Sequence, residues 1–155
     1  MAEVTSATGV DAALALAVVR ETAEAIVVCD SDGIIRLWNG GAERVFGYPA
    51  AEALGQNLDL IIPEKLRQRH WEGYHKTMAT GSTKYGDTLL KVPAQHADGR
   101  RMSIEFSVAL LRDADGEVTG ISAVIRDVTE RWNEERKLRT RLAELERAAD
   151  AAPAG

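Results

Sequence analysis

The sequence predicts an α+β fold, a five-stranded antiparallel sheet with helices over one face, flanked by N-terminal and C-terminal helices. Three observations lead there. The dipeptides Asp32-Gly33, Asp98-Gly99 and Asp115-Gly116 each sit between runs of β-branched or aliphatic residues, a strong short-range hairpin signal. Met102, Ile104, Phe106, Val108 and Leu110 alternate with Ser103, Glu105 and Ser107, the period of a half-buried strand. The stretch 40–85 between the second and third strands reads as helices, which supply the cover that an apolar sheet face requires.

In chain order, Asp11 is placed to cap a helix carrying Leu14, Val18 and Val19. The first hairpin joins strands Ala25–Cys29 and Ile34–Trp38. Short helices follow at Ala42–Phe46 and Ala50–Leu54, separated by the turn Gly47-Tyr48-Pro49. A longer helix starts at Pro63, whose missing N–H suits the first helical position, and runs to about Ala79 before Gly81. Its inward stripe is Leu66, His70, Tyr74, Thr77 and Met78. The second hairpin joins Leu89–Gln95 to Met102–Leu111, and the third joins that strand to Val118–Arg126. Thr129 is placed to cap a charged helix from Glu130 to about Ala149, with Trp132, Leu138, Leu142 and Leu145 as its apolar positions. Two heptads at most are supported, and a paired coiled coil and a helix packing back on the sheet stand as alternatives. The expected organisation is an N-terminal helical extension (1–22), a central domain (23–128) and a C-terminal helix with a short tail (129–155).

Composition bounds the function. The 155 residues suffice for one domain with a real core, and the formal charge of −5 has no basic block that would suit nucleic acid. No apolar run approaches a bilayer span, and no leader pattern opens the chain. Cys29 is the single cysteine, so neither an internal disulfide nor a cysteine zinc site is available. These features point to a cytoplasmic protein of a reducing compartment. No phosphate-cradling glycine loop with Lys, no G-x-S-x-G and no H-E-x-x-H is present, so a binding module is expected rather than an enzyme.

The element order resembles the PAS family of sensory domains, carried by Asp32-Gly33, Trp38-Asn39, Ala42-Glu43, Phe46-Gly47-Tyr48, Gly55 and Asp127-Val128-Thr129 over about residues 23–130. The resemblance implies a module that holds a ligand or cofactor, forms a homodimer through its terminal helices, and signals to a downstream protein. Flavin light sensors of the family carry a G-x-N-C motif; here the matching residues are Gly55-Gln56-Asn57-Leu58, without a thiol, and Cys29 reads as a small core residue.

The segment "IIPEKLRQRHWEGYHK" is similar to that of the FixL-type heme oxygen sensors. That likeness implies heme b with His70 as its axial iron ligand, and neutral imidazole suits the role. His70 shares its helix face with Tyr74, whereas His75 is rotated about 140° away and His96 falls in a hairpin turn. A hydrogen-bonded core histidine is the other account of His70. Lys76 and Lys84 match positions of basic groups that hold heme propionates, although surface lysines are common. Phe106 and Val108 align with distal-wall residues, positions that any strand core would also fill. At Leu90 the FixL-type sensors place an Arg that hydrogen-bonds oxygen. An apolar Leu cannot donate, so the implied signal shifts towards CO, NO, redox state or another small ligand. A cofactor-free scaffold for dimerisation or protein interaction is the alternative reading.

Overall fold

The computed structural model describes residues 11–83, 85–86 and 88–154. Its elements are α1 (Ala12–Glu21), β1 (Ala25–Asp30), β2 (Ile35–Trp38), α2 (Gly40–Phe46), α3 (Ala50–Ala53), a 3-10 turn at Leu58–Leu60, α4 (Glu64–Thr80), β3 (Leu90–Gln95), β4 (Arg101–Arg112), β5 (Val118–Asp127) and α5 (Thr129–Ala151). The five strands form one antiparallel sheet in the order β2-β1-β5-β4-β3. The hairpin pairs β1–β2, β3–β4 and β4–β5 follow the three Asp-Gly turns. The β1–β5 pairing instead brings together strands that local sequence does not connect.

The inner sheet face holds Ala25, Val27 and Cys29 of β1, Ile125 of β5, Met102 and Ile104 of β4, and Ala94 of β3, all buried. Phe46, Ala42 and Ala53 close this core from the helical side. Trp38 joins them, its indole N–H donating to the Tyr48 carbonyl at 2.9 Å. Gly41 is required here: a Cβ at that position would lie 2.1 Å from the Glu24 carbonyl oxygen.

Three helix starts differ from the sequence reading. Helix α2 begins two residues earlier, at Gly40, because Asn39 caps it through Oδ1 to the Ala42 N–H at 2.9 Å. Pro63 is the cap of α4 rather than its first residue, with extended ψ of 138°. Thr129 is the first residue of α5 rather than its cap; its N–H donates to Asp127 Oδ1 at 3.0 Å, and its hydroxyl accepts from the Ser103 N–H at 3.0 Å. A side chain able to tie two strands' ends together is worth more there than a local cap. Asp11 caps α1 as expected, accepting from the Leu14 N–H at 2.7 Å.

Asp30 organises the first turn. Its Oδ1 accepts from the Asp32 and Ile34 N–H groups, each at 3.0 Å, and its Oδ2 from Arg36 Nε at 2.7 Å. Burial pulls its pKa upward, but the bonds from Arg36, Ile34 and Asp32 outweigh that and hold it below the ordinary 3.8. The folded form therefore gains stability that is present above about pH 4 and is lost as pH falls through the depressed value. Asp30→Asn should lie below wild type in urea stability at pH 7, with the gap closing below pH 4; a gap independent of pH would contradict the assignment.

Candidate functional site

Helix α4 is pinned to the rest of the chain by polar groups at its near end. Arg67 Nε donates to the Ile62 carbonyl at 3.0 Å, and Trp71 Nε1 donates to Asp59 Oδ1 at 2.8 Å. The Tyr74 hydroxyl donates to the Asp30 carbonyl across to the first hairpin. The Trp71 ring lies over Gly33, where an added Cβ would come within 2.2 Å of it. Gly33 also has φ of +80°, so the turn and the close approach both require glycine. The stripe of Leu66, His70, Tyr74, Thr77 and Met78 is the inward face, with Tyr74 fully buried and the rest half-buried. Arg67 and Trp71 extend it beyond the residues that the stripe's spacing marks. Trp71 is bound within its own chain.

His70 sits between two of these anchors, its ring centroid 4.7 Å from Trp71 edge-on and 5.9 Å from Tyr74. Its Nδ1 is buried and has no hydrogen-bond partner. No described protein group supplies the bond that Nδ1 of a hydrogen-bonded core histidine would make. Burial lowers the His70 pKa from the ordinary 6.5, against the Asp59 carboxylate, which raises it, and with His75, which lowers it. The imidazole is therefore neutral at neutral pH, the state that coordinates metals. His75 is exposed and stacks on Trp71 with centroids 6.0 Å apart, whereas His96, in the β3–β4 turn, accepts from the Asp98 N–H at 3.1 Å. His70 alone of the three lies on the inward side of α4.

Opposite α4, the sheet offers an apolar wall that is only partly covered. Leu90 pairs with Phe106, Phe106 with Ile125, and Val108 with Ala123. Leu90, Val92, Phe106, Val108, Ile121 and Ala123 are half-buried, in contrast to the sealed Met102, Ile104 and Ala94. Helix α2 packs its backbone closely on β1, whereas α4 keeps its own further from every strand. His70 and these half-buried aliphatic and aromatic groups thus lie on the helix and sheet sides of the same inner layer. Cys29 borders the core beside Asp30, its thiol pushed up to about 12 by burial and by the Asp30 charge, so it is not a thiolate ligand. Lys76 is exposed on the outer side of α4, and Lys84 lies outside the described residues. Among the described residues no three His, Cys, Asp or Glu converge. A lone histidine suits a metal that brings its own equatorial ligands, as heme iron does, and the apolar wall suits a flat macrocycle, so the residues fit heme.

The wall connects directly to α5. Phe106 lies on the inner face of the sheet beside Ile125, and its neighbour Glu105 faces the other side of β4. There Glu105 is 9% exposed and accepts from Arg131 of α5 at 2.9 Å. Alternation had placed Glu105 on the polar face of the strand without revealing that α5 covers it.

The family model described as the PAS fold matches residues 16–128. The Bradyrhizobium diazoefficiens sensor protein FixL is 30% identical over 123 residues, covering 79% of this chain and 24% of that protein. The Escherichia coli oxygen sensor protein DosP is 26% identical over 105 residues, covering 68% of this chain and 13% of that protein. The chain thus spans about a quarter or less of these relatives' lengths. Among solved structures, an RNA-binding light-oxygen-voltage receptor superposes with a TM-score of 0.71 at 22% identity, over 92% of this chain and 40% of that one. The PAS domain of a Colwellia psychrerythraea protein superposes with a TM-score of 0.66 at 22% identity, over 75% of this chain and 95% of that one. At these identities the structural matches speak to the fold. No described helix is long and apolar enough to cross a membrane.

Proposed function

The chain belongs to the PAS family, and on that premise we propose that it is a cytoplasmic sensory module that binds heme b through His70 and relays ligand or redox state through α5 to a partner protein. The observation that carries the reading is the buried Nδ1 of His70 without a hydrogen-bond partner, on a helix face turned to a half-open apolar wall. The similarity to an oxygen sensor protein and to FixL supports it.

Heme held there by His70 would supply an iron able to bind and release a small ligand and to change redox state. The chain's own residues set the rest. Trp71 and Tyr74, tied to Asp59 and Asp30, fix the rotation of α4 and so the direction of the His70 ring. Leu90, Phe106 and Val108 line the far wall and keep water from that side. By the likeness to the FixL-type segment, Lys76 and Lys84 are the basic groups assigned to the propionates. Leu90 offers no hydrogen-bond donor, which favours CO, NO or redox state over stably held oxygen as the signal. Movement of β4 at Phe106 reaches Arg131 through Glu105, and the segment 129–155 carries it onward. A homodimer through the terminal helices completes the reading.

Titration of the full chain with hemin tests it. A Soret band that saturates at one heme per chain is expected. Absorbance rising without saturation, as for free hemin, would overturn the cofactor assignment and leave a cofactor-free association module.

A further inference from the structure

We propose that Arg112 is a positioning residue that latches the far end of α4, and that a flat apolar ligand enters between that end and the β4–β5 hairpin when the latch opens. The proposal rests on the ligand-binding reading above and adds to it a route and the residue that controls it.

Arg112 stands at the end of β4, where the pairing with β5 shifts register between Leu111 and Arg112. Its guanidinium reaches in two directions. Nη2 donates to the Gly81 carbonyl at 2.6 Å, and Nη1 donates to the Gly116 carbonyl at 2.9 Å. Gly116 belongs to the hairpin turn, and Gly81, with φ of +65°, is the left-handed residue that ends α4. The chemistry suits the place. A helix C-terminus carries carbonyls without intrahelical partners and a partial negative charge, which a cation stabilises. The last turn of α4 has no basic residue of its own, so Arg112 of β4 supplies one.

The two halves of α4 are held differently. Between Arg67 and Tyr74 the helix is tied to Ile62, Asp59 and Asp30. Over residues 75–81, among the described residues, the one side-chain bond from another element is that of Arg112, because those of Thr80 stay local to Lys76 and Ser82. Only Thr77, Met78 and Gly81 are half-buried in that stretch; the rest is exposed. Arg112 is itself exposed, so water competes for both of its bonds and the far half can open while the core stays closed.

The sheet beneath loses its cover towards the same end. Along the inner face of β4, Ile104 is buried, Phe106, Val108 and Leu110 are half-buried, and Arg112 is exposed. On β5, Ile125 is buried, whereas Ile121 and Val118 are half-buried. An added Cβ at Gly81 would lie 3.7 Å from Val118 Cγ2, so the end of α4 rests close to the hairpin here. At the opposite end, Trp71 over Gly33 and the Tyr74 bond to Asp30 close the layer against the first hairpin.

Hydrogen exchange of single amides, followed by NMR on the ligand-free full chain, reads the latch; stopped-flow uptake and release of hemin reads the route. Arg112→Ala should speed exchange of the Gly81 amide, which donates to the Thr77 carbonyl, about tenfold, as expected for loss of a charge-assisted bond. The amides of residues 67–74 should not change. Hemin uptake and release should both rise about tenfold with affinity within about twofold, because a latch acts on the barrier rather than on either end state. Arg112→Lys keeps the charge without the fork that spans Gly81 and Gly116, and should fall between. Arg126→Ala, which removes an exposed arginine paired with Glu24, should match wild type. Unchanged exchange in Arg112→Ala would overturn the latch, whatever hemin does. Faster exchange with unchanged hemin rates would overturn the route. Faster release alone, with affinity lost, would overturn the gating role and make Arg112 a contact of the bound ligand. A wild type without saturable hemin uptake would overturn the heme reading and the route, and the exchange rates would still decide the latch.

Discussion

Asn39→Ala is expected to destabilise the chain by about 3 kcal/mol, from one lost helix cap and several backbone groups left unpaired in a buried site. Asn39 is 5% exposed. Its Oδ1 accepts from the Ile26 N–H at 2.8 Å and the Ala42 N–H at 2.9 Å, which joins β1 to the first turn of α2. Its Nδ2 donates to the Val19 carbonyl at 2.9 Å and the Glu24 carbonyl at 3.0 Å, which fastens the end of α1 and the entry to β1. One amide thus serves three elements, and alanine leaves every one of these bonds unmade. Asn39→Asp separates the two halves of the interaction. It keeps the two accepted bonds but turns a carboxylate towards the carbonyl oxygens of Val19, Thr22 and Glu24, so it should also destabilise. Urea unfolding monitored by far-ultraviolet circular dichroism reads both. An Asn39→Ala variant within about 1 kcal/mol of wild type would mean that the structure repairs the site, against the cost expected of unpaired buried groups.

The parts legible in the sequence were those set by local chemistry. The hairpins could be read because Asp-Gly imposes a turn: Gly33, Gly99 and Gly116 all have φ between +80° and +88°. The strand Met102–Leu111 could be read by its period, and the inward stripe of α4 by its spacing. Helix starts were less legible. Gly40-Gly41 is a poor helix former, so α2 was placed too late; the cap at Asn39 and the close contact of Gly41 with the Glu24 carbonyl override that propensity.

The site was legible in one residue and hidden in its supports. His70 and Tyr74 lie on the stripe that spacing reveals. Trp71 lies about 100° off His70, and its inward position depends on Asp59 and Gly33, which the chain brings near only on folding. The Glu105–Arg131 pair joins residues 26 apart on the outer face of β4, and alternation alone could not show that a helix would cover that face. Glu105 was visible as a polar strand residue and invisible as a contact between sheet and α5.

His70→Gly is expected to carry the largest functional effect, because it removes the imidazole proposed to hold the iron and leaves a hole of its size. Tyr74 and Trp71 keep their bonds to Asp30 and Asp59, so α4 should stay in place although glycine weakens it by about 1 kcal/mol. His75→Ala, on the outer side of the same helix, is the matched control and should behave as wild type. The most direct measurement is the absorption spectrum of hemin-loaded His70→Gly with and without added imidazole. The account predicts that the saturable Soret band of the wild type is lost in His70→Gly and returns when imidazole fills the hole. A wild-type spectrum in His70→Gly without imidazole would contradict it, and would move the ligand away from the inward face of α4.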